Sequence, residues 1–109
     1  MTLRDVINTS QLEIIHLADE ERIVSGAYVG DLLSWVIGRA KINDAFLTIM
    51  TNINVIAVAA LAELSCVVFC ENVEITDDVL TAAKEKNVTL LRSPKPTFET
   101  AVNLSYLLN

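Results

Sequence analysis

The stretch Ala45–Cys70, AFLTIMTNINVIAVAALAELSCVVFC, decides the fold. Ala45–Met50 is short, apolar and partly β-branched, the composition of a strand covered on both faces. Thr51-Asn52-Ile53-Asn54 interrupts it with polar side chains suited to turns and helix caps. Val55–Leu64 is rich in Ala and Leu, carries Glu63 as its single charge, and has length for about three helical turns. Ser65 leads into Cys66–Cys70, a second wholly apolar strand. Strand, helix, strand in this order is a βαβ unit, which joins two parallel strands through a right-handed crossover.

On the N-terminal side, Thr2-Leu3-Arg4-Asp5 is a helix start, with Thr2 as cap and Asp5 as its acidic partner. That helix is expected to stop at Asn8–Ser10. Leu12–Leu17 reads as a strand, Ala18–Glu21 as a solvated acidic turn, and Arg22–Val29 as a second extended segment. Gly26 within it marks a bulge or a close backbone approach. Asp31–Gly38 is a predicted helix with Leu32, Leu33, Val36 and Ile37 on one face and Gly38 as its terminator. Trp35 lies off that stripe, as a core residue or as an anchor at a dimer contact.

On the C-terminal side, Glu71–Ile75 is a loop and Thr76 caps a helix whose first turn holds Asp77 and Asp78. Asn87 is its left-handed stop. Val88–Leu91 is the next buried strand, and Arg92-Ser93-Pro94-Lys95-Pro96 is a rigid connection. Thr97 is placed to cap a last helix over Phe98–Leu108. The predicted fold is α/β: one domain over residues 1–109, a three-layer sandwich with a mostly parallel sheet of about four to five strands.

Composition narrows the function. The chain carries a net charge of −6, which disfavours a nucleic-acid backbone as partner. No apolar run reaches the roughly 18 residues of a membrane span, and MTLRDVINTS lacks the basic and apolar regions of a secretory signal. A cytoplasmic protein is expected. With 52% apolar residues and a mean hydropathy of +0.45, some apolar surface is expected to be covered by a second copy, so a homodimer is predicted, the alternative being a sheet covered on both faces, which needs apolar strands anyway. Cys66 and Cys70 share a strand face about 13 Å apart, too far for a disulfide or one metal ion, so both are expected in the core.

No catalytic constellation is present. His16 is the only histidine and has no nucleophile motif around it. Gly26-x-x-x-Gly30 is followed by no Lys-Ser/Thr, and Asp31 would repel an anion. The sequence predicts no enzyme, metal or cofactor. In parallel α/β sheets ligands bind beyond the strand C-termini. The loops there, Tyr28–Asp31, Thr51–Asn54, Glu71–Val73 and Arg92–Thr97, offer Asn52, Asn54, Asn72, Arg92, Ser93 and Thr97 as candidate ligand-binding residues, with Lys95 beside them. Amides, hydroxyls and a cation suit a small polar or nucleotide-like molecule. Helix capping and turn formation account for each of these residues equally well when it is taken singly.

Three segments together carry a resemblance: Val24-Ser25-Gly26-Ala27-Tyr28-Val29-Gly30-Asp31-Leu32-Leu33, then Thr48-Ile49-Met50-Thr51-Asn52-Ile53-Asn54-Val55-Ile56-Ala57-Val58-Ala59, and Leu90-Leu91-Arg92-Ser93 followed by Pro96-Thr97-Phe98-Glu99 and Ala101. The chain resembles the DRTGG-domain group, related to the N-terminal domain of HPr kinase/phosphorylase. The resemblance implies a fold like that of the Mur-ligase N-terminal domains and a non-catalytic regulatory role. The sequence departs from the group's name-giving residues. Asn52-Ile53 or Ile53-Asn54 stands where an Asp-Arg pair would precede the central helix, and Cys70-Glu71-Asn72 stands for Thr-Gly-Gly. A ligand read by that Asp-Arg pair would not be read in the same way by this chain.

Overall fold

The computed structural model describes residues 1–108. Its elements run α1 (Leu3–Thr9), β1 (Glu13–His16), β2 (Gly26–Val29), α2 (Leu33–Arg39), β3 (Asp44–Thr48), α3 (Ile53–Leu61), β4 (Cys66–Phe69), α4 (Asp77–Lys86), β5 (Leu90–Arg92) and α5 (Thr97–Leu108). The five strands form one sheet in the order β1-β5-β4-β3-β2. β2 to β5 are mutually parallel, and β1 runs antiparallel to β5. This is the α/β three-layer arrangement expected, with β3 and β4 paired at its centre.

From β2 to β5 each step moves one strand in the same direction across the sheet. Right-handed crossovers in one direction place every connecting helix on one face. Val36 of α2, Val55, Ile56 and Ala59 of α3, and Val79 and Ala83 of α4 accordingly pack with Phe46, Val67, Phe69 and Leu90. The alternate strand residues Ala45, Leu47, Cys66, Val68 and Leu91 meet Leu3 and Val6 of α1 and Leu104 of α5. Both faces of β3 and β4 are thus covered, which is why these strands read as unbroken apolar runs.

Local chemistry sets most boundaries. Thr2 and Asp5 form the full capping box on α1: the Thr2 N–H donates to Asp5 Oδ2 at 3.0 Å, and the Asp5 N–H donates to Thr2 Oγ1 at 3.3 Å. Asn87 ends α4 in the left-handed region at φ 57°. Gly26 answers to close approach and not to a bulge. A Cβ there would lie 2.9 Å from Asp44 Oδ1, and Asp44 is buried with its Oδ2 accepting the Lys41 N–H.

Several expectations are corrected. α2 begins at Leu33, because Asp31 is engaged elsewhere, and it runs through Gly38 to a C-cap at Ala40. The central helix is Ile53–Leu61 instead of Val55–Leu64, because Asn52 caps it, its Oδ1 accepting the Asn54 N–H at 3.0 Å. Thr97 is the first residue of α5 and not its cap. The last strand is Leu90–Arg92 instead of Val88–Leu91. Of Arg22–Val29 only Gly26–Val29 joins the sheet, while Ile23 bridges to Thr2. Among the described residues no helix is long and apolar enough to cross a membrane.

Candidate functional site

Because β2 to β5 are parallel, residues 30–31, 49–54, 70–73 and 93–97 all emerge at one rim of the sheet. The loops are laced together there by backbone bonds. The Cys70 N–H donates to Thr48 O at 3.0 Å, Glu71 N–H to Lys95 O at 2.9 Å, and Asn72 N–H to Ser93 O at 2.9 Å. Asp31 Oδ1 accepts the Thr48 hydroxyl at 2.7 Å and the Ile49 N–H at 3.1 Å. The carboxylate therefore stitches the β2 loop to the β3 loop.

Glu71 and Asn72 both adopt positive φ, 64° and 53°. They stand where the resemblance places two glycines, the residue type such backbone favours. With side chains present, the turn is held by the two bonds that Glu71 and Asn72 donate to the β5–α5 connection. Those amides are spent internally and do not form an open anion cradle.

The six predicted residues share the rim but not one concavity. Asn52 is committed to capping α3, and Asn54 lies exposed in its first turn. Asn72 is exposed in the left-handed turn. Arg92 points to the sheet edge, its Nε donating to Glu13 Oε2 at 2.7 Å and its Nη1 to Val73 O at 3.3 Å. Thr97 opens α5. Ser93 is buried, with its hydroxyl 2.7 Å from that of Thr100 and accepting the Lys95 N–H at 3.2 Å.

Ser93 and Lys95 line a groove of about 380 Å³ at this rim, between α5 and the α1–β1 connection. Gln11, Asn103 and Tyr106 contribute its amides and its phenol ring, and Leu12, Leu104 and Leu107 its apolar floor. Among the described residues Lys95 is its single charged lining residue, in a chain of net charge −6. The arrangement can accept hydrogen bonds from, donate them to, and stack on a small polar molecule.

The sequence reading missed Gln11, Asn103 and Tyr106 because they lie outside the strand-end loops. β1 is antiparallel to β5, so its start, and the α1–β1 connection before it, reach the same rim. The pairing of β1 with β5 was the missing signal.

The cysteines take no part. Both are free and buried, as the spacing argument required. Burial pushes the Cys66 thiol up to about 12 and also raises that of Cys70.

No match was found among the curated proteins. Among solved structures, the chain is similar to the regulatory region of Clostridium perfringens pyrophosphatase, a structure of its CBS and DRTGG domains complexed with the activator diadenosine tetraphosphate. The TM-score is 0.74 at 12% identity. The match covers 98% of this chain and 46% of that one, so this chain spans less than half of the regulatory region. At this identity the likeness is one of fold. The family model of the DRTGG domain matches residues 6–107, and the chain therefore belongs to the DRTGG domain family.

Proposed function

We propose that this DRTGG domain is a non-catalytic regulatory unit that binds a small polar or nucleotide-like ligand at the C-terminal rim of its sheet. The observation that carries the reading is the groove of about 380 Å³ beside β5, with Lys95 as the only charge among its described residues and amides and hydroxyls around it. The volume lies at the small end of the roughly 300–1,000 Å³ of ligand sites. It favours a molecule of nucleoside or mononucleotide size over a dinucleotide. The nucleotide bound by the pyrophosphatase regulatory region supports the ligand class. Of the sequence candidates, Ser93 lies at the groove; Asn52, Asn54, Asn72, Arg92 and Thr97 frame the rim and would act by shaping it. Kinship with the N-terminal domain of HPr kinase/phosphorylase, and a cytoplasmic setting in keeping with two free cysteines, belong to the same proposal.

The test is thermal unfolding of the chain with AMP, ATP, diadenosine tetraphosphate and a panel of small metabolites. A ligand at about 100 times its Kd adds about 2.7 kcal/mol, several degrees for a domain of this size. Lys95→Ala should abolish the shift. An unmoved midpoint with every compound at millimolar concentration would sink the proposal.

A second reading, an interaction subunit acting through dimerisation or a partner protein without a small ligand, is favoured by one observation. Leu32, Trp35 and Ile42 are each more than half exposed near β2.

A further inference from the structure

We propose that the groove beside β5 selects a nucleoside monophosphate, a planar ring with one phosphomonoester: Lys95 holds the phosphate, Tyr106 stacks on the base, and Ser93 positions Lys95. The inference rests on the groove reading above and deepens it by assigning the charge of the ligand and the role of each end.

The other cations of the chain are occupied. Arg4 pairs with Glu20 and Glu21, and Arg92 with Glu13. Arg22 donates to Asn43 Oδ1 and Glu63 O, and the Arg39 guanidinium lies 3.7 Å above the Trp35 ring. Lys41 lies beside Asp44, and Lys84 and Lys86 sit in the last turn of α4, where the helix dipole favours a positive charge. Lys95 is half-buried and, among the described residues, pairs with no carboxylate. A cation that lines a concavity without an acid attracts an anion, and an ammonium binds a phosphate through strong, charge-assisted bonds.

Lys95 is presented from a fixed base. Pro94 and Pro96 flank it, and each ring fixes its own φ. The Lys95 N–H donates to Ser93 Oγ at 3.2 Å, and its carbonyl accepts the Glu71 N–H at 2.9 Å. The Thr100 hydroxyl donates to Pro96 O at 2.9 Å, so the Ser93 hydroxyl is the donor in the 2.7 Å contact between the two. Ser93 is buried, its proton spent on Thr100 and its oxygen on Lys95. It therefore acts on the ligand through Lys95 and not by contact, and the cost of ordering falls on the lysine side chain alone.

The far end of the groove suits a base. Tyr106 is 78% exposed on its wall, beside the apolar floor of Leu12, Leu104 and Leu107. Along α5, Tyr106 lies about 9 Å beyond Thr100, at about 1.5 Å per residue. The anion end and the ring end are thus set apart, with the Asn103 amide between them for a sugar or base edge. The number of phosphates follows from charge. Among the described residues Lys95 is the only cation that lines the groove, Glu71 and Glu99 stand exposed on the flanking segments, and the chain carries a net −6. A second or third phosphate would enter that field with no partner of its own.

Isothermal titration of the full chain with adenosine, AMP and ATP tests the proposal. AMP should bind about ten- to a hundred-fold tighter than adenosine, the worth of a hydrogen bond to a charged group, and ATP should bind more weakly than AMP. Added salt should weaken AMP more than adenosine. Lys95→Gln should bring the AMP-to-adenosine ratio to about one. Ser93→Ala should lower the same ratio, a selective loss that general loosening of the fold would not produce; Lys95→Gln carries the test if Ser93→Ala does not fold. Adenosine as tight as AMP, ATP tighter than AMP, or an AMP preference that survives Lys95→Gln would each overturn the inference while the groove reading stands. A preference that survives Ser93→Ala would overturn the positioning role. Failure of all three compounds to bind would overturn it too, and the wider metabolite panel then decides whether the groove reading falls with it.

Discussion

At one edge of the sheet, β1 is four residues long, irregular between Ile14 and His16, and carries Glu13 tied to Arg92 of its neighbour. The turn that follows it is acidic, with Glu20 and Glu21 both held by Arg4. At the other edge, β2 is equally short but regular and uncharged in itself, with Trp35, Leu32 and Ile42 exposed nearby and Arg39, Lys41 and Asp44 beside it. One edge carries its charge and a register break within the strand; the other is regular and has its charges on neighbouring segments. The contrast teaches that two equally short edges can be protected from further pairing by different means.

The largest expected effect concerns the centre on which both edges hang. The Cys66 thiol, buried in β4, is held up to about 12 from its ordinary 9.0 by burial. The folded state thus keeps a proton that the unfolded chain releases. The associated stability is complete below about pH 9 and is lost as pH rises toward 12, by up to about 4 kcal/mol at about 1.36 kcal/mol per unit. Urea midpoints at pH 8 and pH 10.5 should fall accordingly. A thiol reagent at pH 8 should label Cys66 only on unfolding. Fast labelling in the native state would mean that the sheet opens from one of its edges.

Next comes Gly26→Val on the regular edge. Its Cβ would meet Asp44 Oδ1 at 2.9 Å, and overpacking of this kind costs about 1–3 kcal/mol in urea melts. Arg92→Ala on the irregular edge removes a half-exposed ion pair and a bond to Val73 O, worth about 1 kcal/mol together. It should leave the association state unchanged, and a change there would erase the distinction between the edges. The smallest effect lies midway along the rim. Glu71→Gly relieves a left-handed residue and should stabilise the chain by about 0.5–1 kcal/mol, read as a higher thermal midpoint. A loss of stability would show that the Glu71 side chain, and not backbone strain, governs that turn.

Much of this architecture was legible beforehand. The Ala45–Cys70 unit, the Thr2–Asp5 box and the Asn87 stop are contained in short windows whose outcome depends on neighbours along the chain. Helix starts were less legible. Asp31 and Thr97 look like caps in isolation, yet Asp31 is taken by Thr48 and Ile49, and Thr97 follows Pro96 into the first turn of α5. The candidate residues emerge at one rim, as the parallel strands require, but only Ser93 lines the groove. The partners Gln11, Asn103 and Tyr106 come from segments roughly 90 residues apart, and no local pattern links them.

Read alone, the chain determined that apolar strands alternate with helices, that most strands run side by side in parallel, and that polar loops gather at one end. These follow from periodicity and from the handedness of crossovers, which act over tens of residues. Tertiary structure decided that β1 and β2, neighbours in sequence, lie at opposite edges, that the rim's groove opens beside β5, and which edge is irregular. Those outcomes depend on which strands pair. Strand pairing is settled by burial summed over the whole sheet and not by any one segment of it.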